Sequence, residues 1–187
     1  MWWSIRDWIL SRGYAWFIKP YFFRQDPEVV HDRMVATGAR LARSSIGRAL
    51  IRFAFGYGHP LLRTTVAGVQ LENPIGLAAG FDKEGVLTAI MSEVGFGFQA
   101  LGSVTNVATD GNPKPRLWRL PKSRALVVHL GLNSSGSENI ARRLSSATRR
   151  LPISMSIAKS NTPATDDRQS AIDDYVSSAK RLLPYAA

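Results

Sequence analysis

Three short apolar runs, separated by longer stretches of helical character, constrain the chain after Pro60 most strongly. They are Pro74 to Ala79, Phe98 to Val104 and Ile153 to Ala158. Each has the length of a buried strand; Gly80 closes the first and Gly102 interrupts the second. Gly85 to Val94, Ser137 to Arg150 and Ser170 to Leu183 read as helices. Strand alternating with helix predicts α/β organisation, with a parallel sheet joined by right-handed crossovers. Thr64 to Leu71 reads as a hairpin turning near Ala67-Gly68. Thr105 to Arg124 reads as a long polar loop holding several prolines, and Thr162 to Asp167 as a second loop.

The first 60 residues have a different character. Asp26-Pro27-Glu28 is a helix start, with a capping carboxylate, proline at the first helical position and an acid in the first turn. Val29, Val30, Met34, Ala36 and Leu41 continue a helical pattern. Gly47 to Pro60 mixes a short helix with a glycine-rich exit, which reads as a linker. Before Asp26 the chain is aromatic. Trp2, Trp3, Trp8, Trp16, Phe17, Tyr21, Phe22 and Phe23 are interleaved with Arg6, Arg12, Lys19 and Arg24. Tryptophan and tyrosine favour the membrane interface, and neighbouring cations meet lipid phosphates. Those same charges break any run of the roughly 20 apolar residues that a membrane span needs. The stretch also lacks the basic start, apolar core and small-residue cleavage site of a secretory signal. The expectation is a peripheral, interfacial segment.

Charge agrees with an anionic partner. The formal net charge is +10, and residues 1–70 hold ten Lys/Arg against four Asp/Glu. A basic surface is drawn to lipid headgroups, phosphorylated ligands or nucleic acid. No nucleic-acid fold motif is present, so a nucleic-acid partner is not expected. The absence of cysteine excludes disulfides, a thiol nucleophile and thiolate metal sites, and no metal site is expected.

Glycine-rich turns at strand ends let backbone approach a ligand closely, and α/β barrels place ligands beyond the C-terminal strand ends. Three such places occur: Ala78 to Lys83, Leu101 to Thr105 and Leu130 to Asn133. Lys83 is the most informative of these residues. A cation just past a strand end can hold an anionic ring or stabilise charge on a reduced flavin.

Asn73-Pro-Ile-Gly-Leu-Ala-Ala-Gly-Phe-Asp-Lys83, Gly95-Phe-Gly-Phe98, Gly102-Ser-Val-Thr105 and Gly111-Asn-Pro-Lys-Pro-Arg-Leu-Trp-Arg-Leu120 follow one another in order. Together they resemble quinone-dependent (class 2) dihydroorotate dehydrogenase. Asp26 to His31 is similar to that class's helical extension. Asp173-Asp174-Tyr175 and Pro184-Tyr185-Ala186 are similar to the helix before its fourth strand. The resemblance runs from about Tyr14 to the C-terminus.

It implies a partial (β/α)8 TIM barrel, comprising about the first three βα units, preceded by an N-terminal helical membrane-associating cap. The implied division is residues 1–60 as cap and 61–187 as FMN-binding barrel portion. The implied reaction is FMN-dependent oxidation of dihydroorotate to orotate in pyrimidine biosynthesis, with a membrane quinone as acceptor, at the cytoplasmic face of the inner membrane. By resemblance, Ala79, Gly80, Phe81, Asp82, Lys83, Ser103 and Ser156 would contact FMN. Lys83, Val128, His129, Leu130, Gly131 and Leu132 would meet the substrate, and His31 and Arg119 the quinone.

There are departures from the family pattern. Val128 stands where the family has a substrate-binding asparagine, and Ser156 where it has a flavin-binding asparagine, with one residue missing nearby. A side chain without donor or acceptor leaves a ring polar group unmet. The family's serine base would lie beyond Ala187, so no catalytic base is expected among these residues. Nor is turnover expected from them alone without a complementing C-terminal half. The alternative expectation is a non-catalytic membrane-docking remnant, or one half of a split enzyme.

Overall fold

The computed structural model describes residues 2–187; the side chains of Trp2 and Trp3 lie outside the described set, so their expected interfacial role does too. The chain opens with α1 (Trp2–Gly13), a π-helical turn (Tyr14–Ile18) and α2 (Lys19–Phe22). The π turn runs directly into Pro20, which has no N–H for an ordinary helical bond. After a break comes α3 (Pro27–Ala42), whose start is the expected one: the Asp26 carboxylate accepts from the backbone N–H groups of Glu28 and Val29. Next is α4 (Ser45–Phe55), capped by the Ser44 hydroxyl, which accepts from Gly47.

The hairpin β1 (Thr64–Val66) and β2 (Val69–Leu71) turns at Ala67 and Gly68, both with positive φ, the geometry that a two-residue hairpin loop requires. Then follow β3 (Gly76–Leu77), the short helix α5 (Met91–Val94) and β4 (Phe98–Val104). A second hairpin pairs β5 (Leu117–Leu120) with β6 (Ala125–Val128). The chain continues through α6 (Ser137–Ser146), β7 (Ile153–Ile157) and α7 (Arg168–Leu182). Strands β3, β4 and β7 form one parallel sheet in chain order, β3-β4-β7. The expected α/β organisation is therefore present, and the three parallel strands fit the first βα units of a barrel.

Three elements differ from the sequence expectation. Gly85 to Val94 is helical only from Met91, because the Asp82 carboxylate takes the N–H groups of Val86 and Leu87 at 2.9 Å each and holds that stretch as a turn. Helix α6 stops at Ser146, four residues early, where Ala147 turns extended; its N–H and the Arg149 guanidinium both donate to the Leu144 carbonyl. The polar stretch from Thr105 is not loop throughout, since β5 lies within it and pairs Trp118 with Val127 and Arg119 with Leu126. Pro113, Pro115 and Pro121 conceal that strand's short apolar pattern in the sequence.

Two hydrophobic clusters hold these elements. Leu101, Val104, Ile140, Leu144, Ile153 and Leu182 join β4 and β7 to α6 and α7. Ala42, Leu87, Ile90 and Met91, with Val35, Ala39 and Ile51 against them, join α3 and α4 to the chain following β3. A buried ion pair adds a polar tie: Arg116 donates to Glu28 from Nη2 at 2.8 Å and from Nε at 3.2 Å. It fastens the first turn of α3 to the segment leading into β5. The start of the chain is bound differently. Trp8, Trp16, Phe17 and Tyr21 are each more than 60% exposed, while Arg12 lies about 6 Å from the rings of both Trp8 and Trp16.

Candidate functional site

A cavity of about 450 Å³ lies between α3, the turn after β3 and the β5–β6 hairpin. Glu28, His31, Asp32 and Val35 line it from α3. Ala79 to Glu84 line it from the turn, and Leu117, Val128, Leu130 and Asn133 from the hairpin and the chain after it. The turn is anchored at its base, where the Gly80 N–H donates to the Gly102 carbonyl at 2.7 Å. Gly80 has φ +106°, and a Cβ placed there would meet nothing within 4 Å. Backbone conformation and open space together leave room for a flat group against this turn.

Lys83 is half-buried, and its ammonium donates to the Asn133 side-chain carbonyl. Burial, with the nearby Arg116 charge, holds its pKa below the ordinary lysine value, opposed by Glu28, Glu84 and Asp32. It is therefore a cation kept short of solvent, which gains from a negative partner. Asp82 lines the cavity, but its carboxylate is committed to the turn, accepting from the Val86 and Leu87 N–H groups. Its carboxylate also accepts from the Gln99 side-chain N–H at 2.6 Å, and burial raises its pKa despite these bonds. At the C-terminal ends of the neighbouring strands, the hydroxyls of Ser103 and Ser156 lie 2.9 Å apart. Neither serine is among the residues lining the cavity; the cation and the open glycine turn that do line it suit a planar ligand with an anionic or carbonyl-rich edge.

The remaining expected residues divide. Val128 and Leu130 line the cavity; His129, Gly131 and Leu132 do not. His129 and Leu132 shape the loop through their backbone, with the His129 N–H donating to the Arg116 carbonyl and the Leu132 carbonyl accepting from Thr109 Oγ1. His31 does line the cavity. Its Nε2 donates to the Phe81 carbonyl at 2.8 Å, and its Nδ1 lies 3.1 Å from the Asp32 carboxylate. Both partners only accept, so a neutral ring satisfies one of them and a charged ring both. Arg119 is elsewhere. It donates to the Gln25 carbonyl, stacks 4.9 Å from the Phe23 ring and lines a separate cavity with Tyr14 and Lys19.

A third cavity, of about 350 Å³, is almost wholly apolar. Met34, Leu41, Ile51, Phe55, Leu77, Leu87 and Phe96 are among its walls. Phe81 lines both this chamber and the Lys83 cavity, so one ring stands between a polar chamber and an apolar one. Sequence reasoning placed Asn133 in a ligand-approach turn without giving it a role, and it missed Glu28 as a cavity wall and Arg116 as the residue that holds Glu28. Only the buried pairing of two oppositely charged residues 88 positions apart identifies the last two.

The family model for dihydroorotate dehydrogenase matches residues 61–187. The chain belongs to the dihydroorotate dehydrogenase family. Among curated relatives, dihydroorotate dehydrogenase (quinone) of Chloroflexus aurantiacus is 40% identical over 179 residues, covering 93% of this chain and 48% of the relative. That of Gloeobacter violaceus is 38% identical and covers 88% of this chain and 45% of the relative. The chain thus spans about half the length of the curated relatives it matches. Among solved structures, dihydroorotate dehydrogenase of Eimeria tenella in complex with ferulenol superposes with a TM-score of 0.69 at 29% identity, over 86% of this chain and 42% of that one. In this dihydroorotate dehydrogenase family member, as elsewhere among the described residues, no helix is long and apolar enough to cross a membrane.

Proposed function

We propose that this chain supplies the first three strands, the lysine-bearing turn and the acceptor-side wall of an FMN-dependent dihydroorotate dehydrogenase that passes electrons to a membrane quinone. The observation that carries the reading is the placement of Phe81, with a half-buried cation on one side and an apolar chamber on the other. A reaction joining a charged, ring-shaped substrate to an apolar acceptor needs two such compartments against one cofactor.

The residues fit FMN in their chemistry. The open Gly80 turn admits a flat ring, Lys83 offers a cation to its electron-rich edge, and Ser103 with Ser156 offers hydroxyls. FMN, when bound, supplies hydride acceptance from dihydroorotate and onward electron transfer. Lys83 does two things in this reading: it orients the anionic substrate, and it stabilises negative charge as that charge accumulates nearby. Asn133 holds the Lys83 ammonium in place. Leu130 and Val128 exclude water from the substrate side, and Val128 leaves one ring edge without a hydrogen bond. His31 fixes the Phe81 backbone between the chambers.

Residues 1–60 act in this reading as a helical cap, and 61–187 as barrel portion. The exposed aromatic and basic side chains of α1 and α2 rest on the anionic cytoplasmic face of the inner membrane, where a quinone is at hand. Visible absorbance of the purified protein tests the proposal, alone and mixed with a chain carrying the remaining strands of a relative. Flavin that bleaches on adding dihydroorotate and recovers with a soluble quinone supports it, provided that Lys83→Ala abolishes bleaching. Flavin binding that is absent in both preparations sinks it.

A further inference from the structure

On another face of the molecule, a cavity of about 610 Å³ opens between the C-terminal ends of α3 and α6 and the turn that follows Lys83. Arg43, Arg48 and Arg143 line it, together with Thr88 and Thr148, and none of its lining residues is a carboxylate. The three guanidinium groups are not equally engaged. Arg143 is committed to Glu84, donating to its carboxylate at 3.0 Å. Arg48 donates to the Ala42 carbonyl at 2.6 Å, which leaves most of its five donors unused. The Arg43 side chain has no hydrogen bond or ion pair among the described residues, and neither has the Thr148 hydroxyl.

Helix capping accounts for part of this arrangement. A cation at the end of α3 meets the negative pole of the helix, and the Arg48 bond to Ala42 satisfies one terminal carbonyl. Capping uses one donor of one arginine and requires no cavity. Two arginines lining one concave space whose walls hold no carboxylate leave a surplus of positive charge and forked donors. That is the complement of a phosphate group, whose oxygens accept paired N–H bonds from arginine.

We infer that the Arg43–Arg48 cavity is a phosphate-monoester site, separate from the Lys83 cavity and independent of the redox reaction. Arg43 and Arg48 bind the phosphate oxygens, and the Thr148 hydroxyl adds a donor. Two sources share this chemistry: a free phosphorylated ligand and the headgroup of an acidic lipid such as phosphatidic acid. The second source is a candidate because α4, which carries Arg48, also presents the apolar side chains of Ile46, Leu50 and Phe53 at 60% exposure or more.

The test uses the full chain, with inorganic phosphate as the first probe and phosphatidylcholine vesicles doped with phosphatidic acid as the second. Phosphate binding is read by phosphorus-31 line broadening at constant ionic strength, and vesicle binding by co-sedimentation. Arg43→Gln and the double variant Arg43→Gln/Arg48→Gln are compared with the native chain. The Arg43 side chain makes no hydrogen bond or ion pair among the described residues that its loss would break, so the single variant keeps the test valid if the double variant unfolds. Broadening that weakens about tenfold in either variant establishes the site for free phosphate. Co-sedimentation that falls similarly, with no effect of inorganic phosphate, assigns it to the lipid headgroup. Equal behaviour of native and variant chains toward both probes overturns the proposal, whatever the flavin site does.

Discussion

The two chambers that meet at Phe81 are built by opposite means. The apolar chamber is walled by side chains of the second hydrophobic cluster, Leu87 and Ile90 among them, and needs little beyond shape. The polar chamber is held by directed bonds: Asp82 to the Lys83 turn, Glu28 to Arg116 and Lys83 to Asn133. An apolar wall loses stability in proportion to the volume removed from it. A polar wall fails when one partner of a buried pair is left alone.

The largest effect should come from breaking the buried pair. Glu28→Ala leaves Arg116 uncompensated at 7% exposure, and a loss of about 3 to 5 kcal/mol in urea unfolding is expected. Replacing both residues with leucine should recover most of it. The Arg116 hydrogen bond holds the Glu28 carboxyl below the ordinary glutamate range. Its stabilisation is therefore fully present above the unfolded value and fades as pH falls through the folded one. The penalty of Glu28→Ala should shrink in acid; a penalty that stays constant with pH would mean the pair contributes by packing alone.

Leu87→Ala should come next, at about 3 kcal/mol, because Leu87 is 1% exposed between the apolar chamber and the core. Calorimetry at two pH values should give the same loss, in contrast to Glu28. A loss below about 1 kcal/mol would show that the chamber collapses onto the gap.

Lys83→Met should be smaller and of opposite sign. Burial lowers the Lys83 pKa, so the charged form is disfavoured in the folded state and folding gains as pH rises from that depressed value toward the ordinary one. The variant should be the more stable chain at neutral pH, and its advantage should vanish in alkali. A variant less stable than the native chain at pH 7 would assign the Asn133 bond the dominant role. Phe81→Ala should change stability least, by less than about 1 kcal/mol, since the ring is 41% exposed. If the proposed function holds, it should instead join the two chambers, with faster oxidation of the flavin by polar acceptors in stopped-flow absorbance. Unchanged selectivity would remove Phe81 as the partition.

Much of this protein was legible in its residues. The Asp26 cap, the Ala67-Gly68 turn and the three parallel strands are local events, dictated by propensity and by the spacing of apolar residues. The Ala79 to Lys83 turn was legible as well, because a glycine after an apolar run marks where backbone can approach a ligand. The missed elements depend on distant partners. Strand β5 has a proline on either side and is stabilised by β6, and the Gly85 stretch forgoes a helix because a buried carboxylate takes its N–H groups.

The sequence by itself determined the parallel sheet, its alternation with helices and the family, since these follow from local periodicity and from motifs in a fixed order. Only the tertiary structure decided which side chains share a chamber. It placed His31 beside Phe81 and Arg119 in another cavity, turned Asp82 inward to brace its own loop, and brought Glu28 to Arg116 across 88 positions. The reason is physical: the cost of leaving a buried charge or donor unpaired is set by whatever the fold brings within hydrogen-bond distance, and no local pattern encodes that distance.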